Sequence, residues 1–100
     1  MRAWTTLKRT NTMHYGEIDR HNGMETFCGY YFNPGELKTG HPSNSTRPCK
    51  VCLKSAIANQ LISKEDLIIA RNRLNDETLY NRIQKLIEEL DNGWSPQAKK

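Results

Sequence analysis

The chain has 100 residues, three cysteines, a net charge of +4 and a mean hydropathy of −0.81. A polypeptide this short and polar buries one small core, not two, and needs a staple beyond its own apolar surface. Three thiols do not all pair as disulfides, the first residues carry no apolar run of the secretory kind, and no segment approaches the about 20 apolar residues of a membrane span.

These exclusions predict a reducing, cytoplasmic setting without membrane contact, where clustered cysteines bind metal more readily than each other. The charge is unevenly spread. Residues 1–64 hold nine Lys/Arg against four Asp/Glu, and the remainder six against seven. The positive potential thus belongs to the cysteine-bearing part, which suits phosphates or an acidic partner.

In chain order, residues 1–12 show no periodicity and read as an arm with Trp4 as its anchor. Residues 13–32 read as a β-hairpin turning at Asn22-Gly23, a pair that tolerates positive φ. Asn33-Pro34-Gly35 is a second turn, and the Thr, Gly, Pro, Ser and Asn cluster of 39–48 is a loop. Leu53, Ala56, Ile57 and Leu61 then take up a helical period. Ser63 is placed as an N-cap with Asp66 three residues on, opening a second helix through Leu67–Ala70 to Leu74. Asn75 or Asp76 caps a third, whose apolar stripe is Leu79, Ile83, Leu86, Ile87 and Leu90; Asn92-Gly93 ends it.

Cys49-Lys50-Val51-Cys52 has the spacing at which two thiolates face one tetrahedral ion from a tight knuckle. The helix that follows favours thiolate charge at its N-terminus. A redox dithiol shares this motif, but that reading needs a strand in an alternating β/α pattern and leaves Cys28 without a role. The hairpin places His14 almost opposite Cys28, so one structural Zn2+ held by His14, Cys28, Cys49 and Cys52 accounts for all three cysteines. For the fourth donor the order of preference is His14, then His41 in the long loop, then His21 at the hairpin tip. His21 is some seven strand residues from Cys28, and at about 3.3 Å each that is too far.

The run His14, hairpin, Cys28-Gly29, loop, Cys49-Lys50-Val51-Cys52-Leu53 resembles a pattern found in small zinc-binding proteins of bacteriophages and bacteria. The likeness covers about forty residues, from 14 to 53. It implies a structural metal and is unspecific for function. The helices after residue 62 depart from the shortest such proteins.

The expected fold is small α+β: a zinc-bound β-hairpin and Cys-x-x-Cys knuckle followed by two to three α-helices. Its divisions are an arm (1–12), a zinc module (13–62), a helical extension packed on it (63–92) and a flexible tail (93–100). No His-Glu-x-x-His, Walker loop or nucleophile elbow is present, so the chain reads as a non-enzymatic module. Two binding roles stand side by side. In one, Arg20, Lys38, Arg47, Lys50 and Lys54 contact nucleic-acid phosphates, with Tyr30 or Tyr31 available for stacking. Against stacking, Tyr30 and Phe32 are expected to pack on the inner face of the hairpin. In the other, Leu79, Ile83, Leu86 and Leu90 dock a protein partner, from the host or the same source, or a second copy.

Overall fold

A computed structural model describes residues 1–40 and 42–91. Five short strands and three helices follow one another as β1 (Arg2–Thr6), β2 (Thr12–Ile18), β3 (Met24–Thr26), β4 (Tyr31–Phe32), a 3-10 turn over Pro34–Glu36, β5 (Arg47–Pro48), α1 (Lys50–Ala58), α2 (Lys64–Arg71) and α3 (Glu77–Asp91). The class is small α+β, as the sequence leads one to expect. No helix among the described residues is long and apolar enough to cross a membrane.

Strand β2 organises the sheet. One edge pairs antiparallel with β1 along Arg2↔Glu17 to Thr6↔Met13. The other edge is shared: β3 takes Gly16 to Ile18, and β5 runs parallel beside Thr12 and Met13. The N-terminal residues are therefore a strand and not an arm. Alternation was hard to see there because Ala3 and three threonines or leucines surround the single large residue, Trp4. Trp4 is 5% exposed, and its indole Nε1 donates to the Asp66 carbonyl at 2.9 Å.

Met13 and Tyr15, two apart on β2, face the helices and join Leu53, Ala56, Leu67, Ala70 and Ile83 in one buried cluster. Residues 13–62 and the helical extension thus share a core. Asp66 ties them further, its carboxylate accepting from the Tyr15 hydroxyl at 2.7 Å. The Ser63 side chain caps α2 by accepting from the Asp66 amide at 3.2 Å. The expected capping box is not made, because the Asp66 side chain is turned to Tyr15. Helix α2 ends at Arg71, short of Leu74. Beyond it, Arg73 donates to the carbonyls of Ile69, Pro42 and Ser43 at 2.8–2.9 Å, and its own carbonyl accepts from Arg47. Asp76 is the cap of α3, accepting from the Leu79 amide at 3.2 Å. Residues 92–100, including Asn92-Gly93 and the expected tail, lie outside the described residues.

Helix α1 closes with a Schellman pattern in which the Leu61 amide donates to the Ala56 carbonyl and the Gln60 amide to Ile57. Gln60 occupies the left-handed position, with φ +55°. A non-glycine residue there carries steric cost, partly offset by the lower entropy of its unfolded chain. Gln60→Gly should stabilise the protein by about 0.5–1 kcal/mol, a Tm rise of a few degrees, measured on the metal-loaded protein. An unchanged or lower Tm would show that the Gln60 side chain contributes contacts that outweigh the strain.

Candidate metal centre

Two turns hang from the same edge of β2, on either side of His14. The Tyr15 carbonyl accepts from the Phe27 amide at 2.9 Å, and the Met13 carbonyl accepts from the Cys49 amide at 2.8 Å. The β2–β3 register, Gly16↔Thr26, points His14 at Cys28 if it is continued two residues. Pairing stops at Thr26, however, and the chain turns through Cys28 and Gly29 (φ +97°) before β4 returns against β3. The return strand predicted to run from Met24 to Phe32 is thus two strands around a knuckle. Thr26 builds that knuckle: its hydroxyl accepts from the Tyr30 amide at 3.0 Å and lies 3.2 Å from Cys28 Sγ.

The second knuckle is Cys49–Cys52. Cys49 is the extended N-cap of α1, and its carbonyl accepts from the Leu53 amide at 3.0 Å, which closes the first turn. This places Cys52 one residue inside the buried core, 0% exposed, with its sulfur turned back toward β2.

The donor atoms of His14, Cys28, Cys49 and Cys52 all lie within 4.8 Å of one another. His14 presents Nδ1, which stands 3.5 Å from Cys28 Sγ and 3.6 Å from Cys52 Sγ. The four residues form a site that can hold a metal ion. No family model, curated protein or solved structure matches the chain. Its function is therefore read from the site.

The electrostatics favour a cation. A hydrogen bond from the Cys52 thiol, aided by His14 and the Cys52 amide, draws the Cys49 thiol well below its ordinary range against the opposing effect of burial. The same contact with Cys49, together with burial, pushes the Cys52 thiol well above its ordinary range, while the Tyr15 amide opposes this by donating to the Cys52 sulfur. Two sulfurs this close keep one proton between them unless another positive charge takes its place. Backbone amides aimed at sulfur prepare both for the thiolate form.

Aromatic rings pack on both faces of β2. Tyr15 packs between Trp4 and Phe27, at centroid distances of 5.0 and 5.6 Å. On the opposite face of β2, His14 packs on Phe32 at 5.3 Å, and Phe32 stacks with Tyr30 at 6.0 Å. Thr26 supports the site without having been singled out in the sequence, and Phe32, expected on the inner face of the hairpin, packs on His14 instead. The hydroxyl two residues before Cys28 was the available sign of a side-chain-stabilised turn.

The remaining residues named from the sequence fall elsewhere. His21 is exposed at the hairpin tip, where its amide donates to Asp19, and it is not in the cluster. His41 lies outside the described residues. Arg20, Lys38, Arg47, Lys50 and Lys54 are all exposed. Lys50 pairs with Asp76 at 3.1 Å, and Arg47 is engaged with the Arg73 carbonyl. Lys38 lines a surface cavity of about 570 Å³ together with Trp4, Ile18 and Leu37. Leu79 and Ile83 are 4% and 0% exposed and belong to the core, with Leu86 and Leu90 packed partly against it. The first half of the α3 stripe, Leu79 and Ile83, is covered inside the chain by the cluster that β2 and α2 supply, whereas Leu86 and Leu90 stay partly exposed.

Proposed function

We propose that the protein is a non-catalytic module held together by one structural zinc ion, whose basic metal-bearing half contacts nucleic acid. The observation that carries the zinc assignment is the donor geometry. Three sulfurs and one imidazole suit zinc, whose bonds of about 2.3 Å to sulfur and 2.0–2.1 Å to nitrogen set tetrahedral neighbours about 3.6 Å apart. The Nδ1–Sγ separations of 3.5 and 3.6 Å match that figure. Four protein donors fill the shell and leave no coordination position for a hydrolytic water, which supports a structural role.

The charge distribution supports nucleic acid as the target. The surplus of Lys/Arg lies in residues 1–64, and the five cations named above all reach solvent. Lys54 makes no ion pair among the described residues, unlike Lys50. It is therefore the cleaner probe. Binding of fluorescent oligonucleotides should weaken steeply as salt rises, because neutralised phosphates release counterions. Lys54→Ala should reduce affinity and flatten the logarithmic salt slope by about one, with zinc content unchanged. Absence of binding to single-stranded or duplex DNA and RNA at low salt would refute the nucleic-acid role.

A further inference from the structure

We infer that Tyr30 is a stacking platform for an unpaired base, so that the nucleic acid contacted by this protein is single-stranded. The inference rests on the nucleic-acid reading above and names its substrate. Tyr30 is 62% exposed although one face of its ring is already stacked on Phe32, with an interplanar angle of 25°. Phe32 is backed in turn by the ring of the ligand His14. One face of Tyr30 is supported down to the metal site and the other is open to solvent.

The platform is also fixed at its backbone. The Thr26 amide donates to the Tyr30 carbonyl at 2.8 Å, and the Tyr30 amide donates to the hydroxyl of Thr26, itself 4% exposed. An aromatic ring held in this way is ordered before it meets a ligand, so little entropy is lost when a base is laid on it. Base stacking on aromatic side chains is the main non-ionic contribution to single-strand binding, whereas bases inside a duplex have no free face to offer.

The phosphates are provided for on the adjoining knuckle. Tyr30 follows Cys28 by two residues, and Lys50 and Val51 lie between Cys49 and Cys52. Convergence of the four donor atoms brings the two knuckles to one site. Val51 is 60% exposed, and Lys54 lies one helical turn beyond Lys50 on the same face of α1. Tyr31 is the poorer platform. Its hydroxyl donates to the Asp19 carboxylate at 2.8 Å, and that contact keeps the carboxyl ionised below its usual range, where it repels phosphate.

The test measures anisotropy with a labelled twelve-nucleotide single strand and the corresponding duplex at low salt, on zinc-loaded protein. Tyr30→Ala should weaken single-strand binding by roughly 5- to 150-fold, and Tyr30→Phe should stay within about twofold of the parent. The parent should bind the duplex more weakly than the single strand. Should Tyr30→Ala shed its metal, Tyr30→Leu, which still covers Phe32 but offers no ring, carries the same expectation. Full single-strand affinity in the ringless variant, with Lys54→Ala still impaired, overturns the platform and leaves the basic-half reading standing. Equal or tighter duplex binding by the parent also overturns it. No binding of any nucleic acid by the parent overturns both.

Discussion

Stripping the metal with a chelator, or replacing Cys52 by serine, should leave a chain without stable tertiary structure. Structural zinc is worth about 10–16 kcal/mol in small finger peptides, while an entire folded domain is stable by only about 5–15 kcal/mol. Cys52 is both a proposed donor and a fully buried member of the core cluster. Serine there removes a thiolate and buries a hydroxyl, so the two losses add. His14→Ala separates them, because it deletes a donor from the half-buried face of β2 and leaves the helix-facing core intact. It should abolish tight zinc retention, whereas His21→Ala at the exposed tip should keep one equivalent. Metal stoichiometry and near-ultraviolet circular dichroism read both effects. A native spectrum in verified metal-free protein would refute the structural role. Full retention by His14→Ala would move the fourth donor to another residue, with His41 next in order.

Gly16→Ala should be the most damaging change outside the donor set. Gly16 pairs with Ala3 on one edge of β2 and Thr26 on the other. A β-carbon at this position would stand 2.7 Å from Thr26 Cα and closer still to the Glu25 carbonyl oxygen. These are backbone atoms, so no rotamer change relieves the overlap. Strand β3 would have to leave β2, taking with it the Phe27–Tyr15 hydrogen bond that positions Cys28. The cost should exceed the about 1–3 kcal/mol typical of an overpacked core site. Urea unfolding of the zinc-loaded protein should show a large fall in midpoint, and a colorimetric chelator should extract zinc faster. Gly35→Ala is the control, since a β-carbon there meets nothing within 4 Å and should be silent. An unchanged midpoint in Gly16→Ala would mean that the β2–β3 register differs from the one described.

What was legible in the sequence is what depends on neighbours close along the chain. The Cys49–Cys52 spacing, the helical period after Leu53, the Ser63 cap and the turn before Gly23 are all local, and the structure contains each of them. In that turn Asn22, not Gly23, takes the positive φ, at +68°. At Gly23 a β-carbon would meet chiefly the hydroxyl end of the exposed Tyr31 side chain, which can swing aside. Strand β1 was not legible because its burial depends on Asp66, 62 residues away, and on pairing with β2. Tyr30 was misplaced for a related reason. Alternation correctly puts Tyr30 and Phe32 on one face, but the reversal at Cys28–Gly29 turns that face toward His14 and solvent instead of the core. The stripe on α3 could be read from periodicity, but what would cover it could not. That depended on how α2 and β2 meet.

The bonds made by Asp66 and Arg73 bear on how the molecule comes apart. Asp66 opens α2 and holds Trp4 of β1 and Tyr15 of β2. Arg73, just past the other end of α2, holds the loop that leads into Cys49. An eight-residue helix is thereby fastened at both ends to the part of the chain that carries the cysteine cluster. Neither half can open alone without stranding polar groups of the other, some of them away from water. The short sheet, the knuckles and α2 are therefore expected to open as a single cooperative unit. Release of the ion would then be felt at the far helix in the same step, and not as a local fraying around the cysteines.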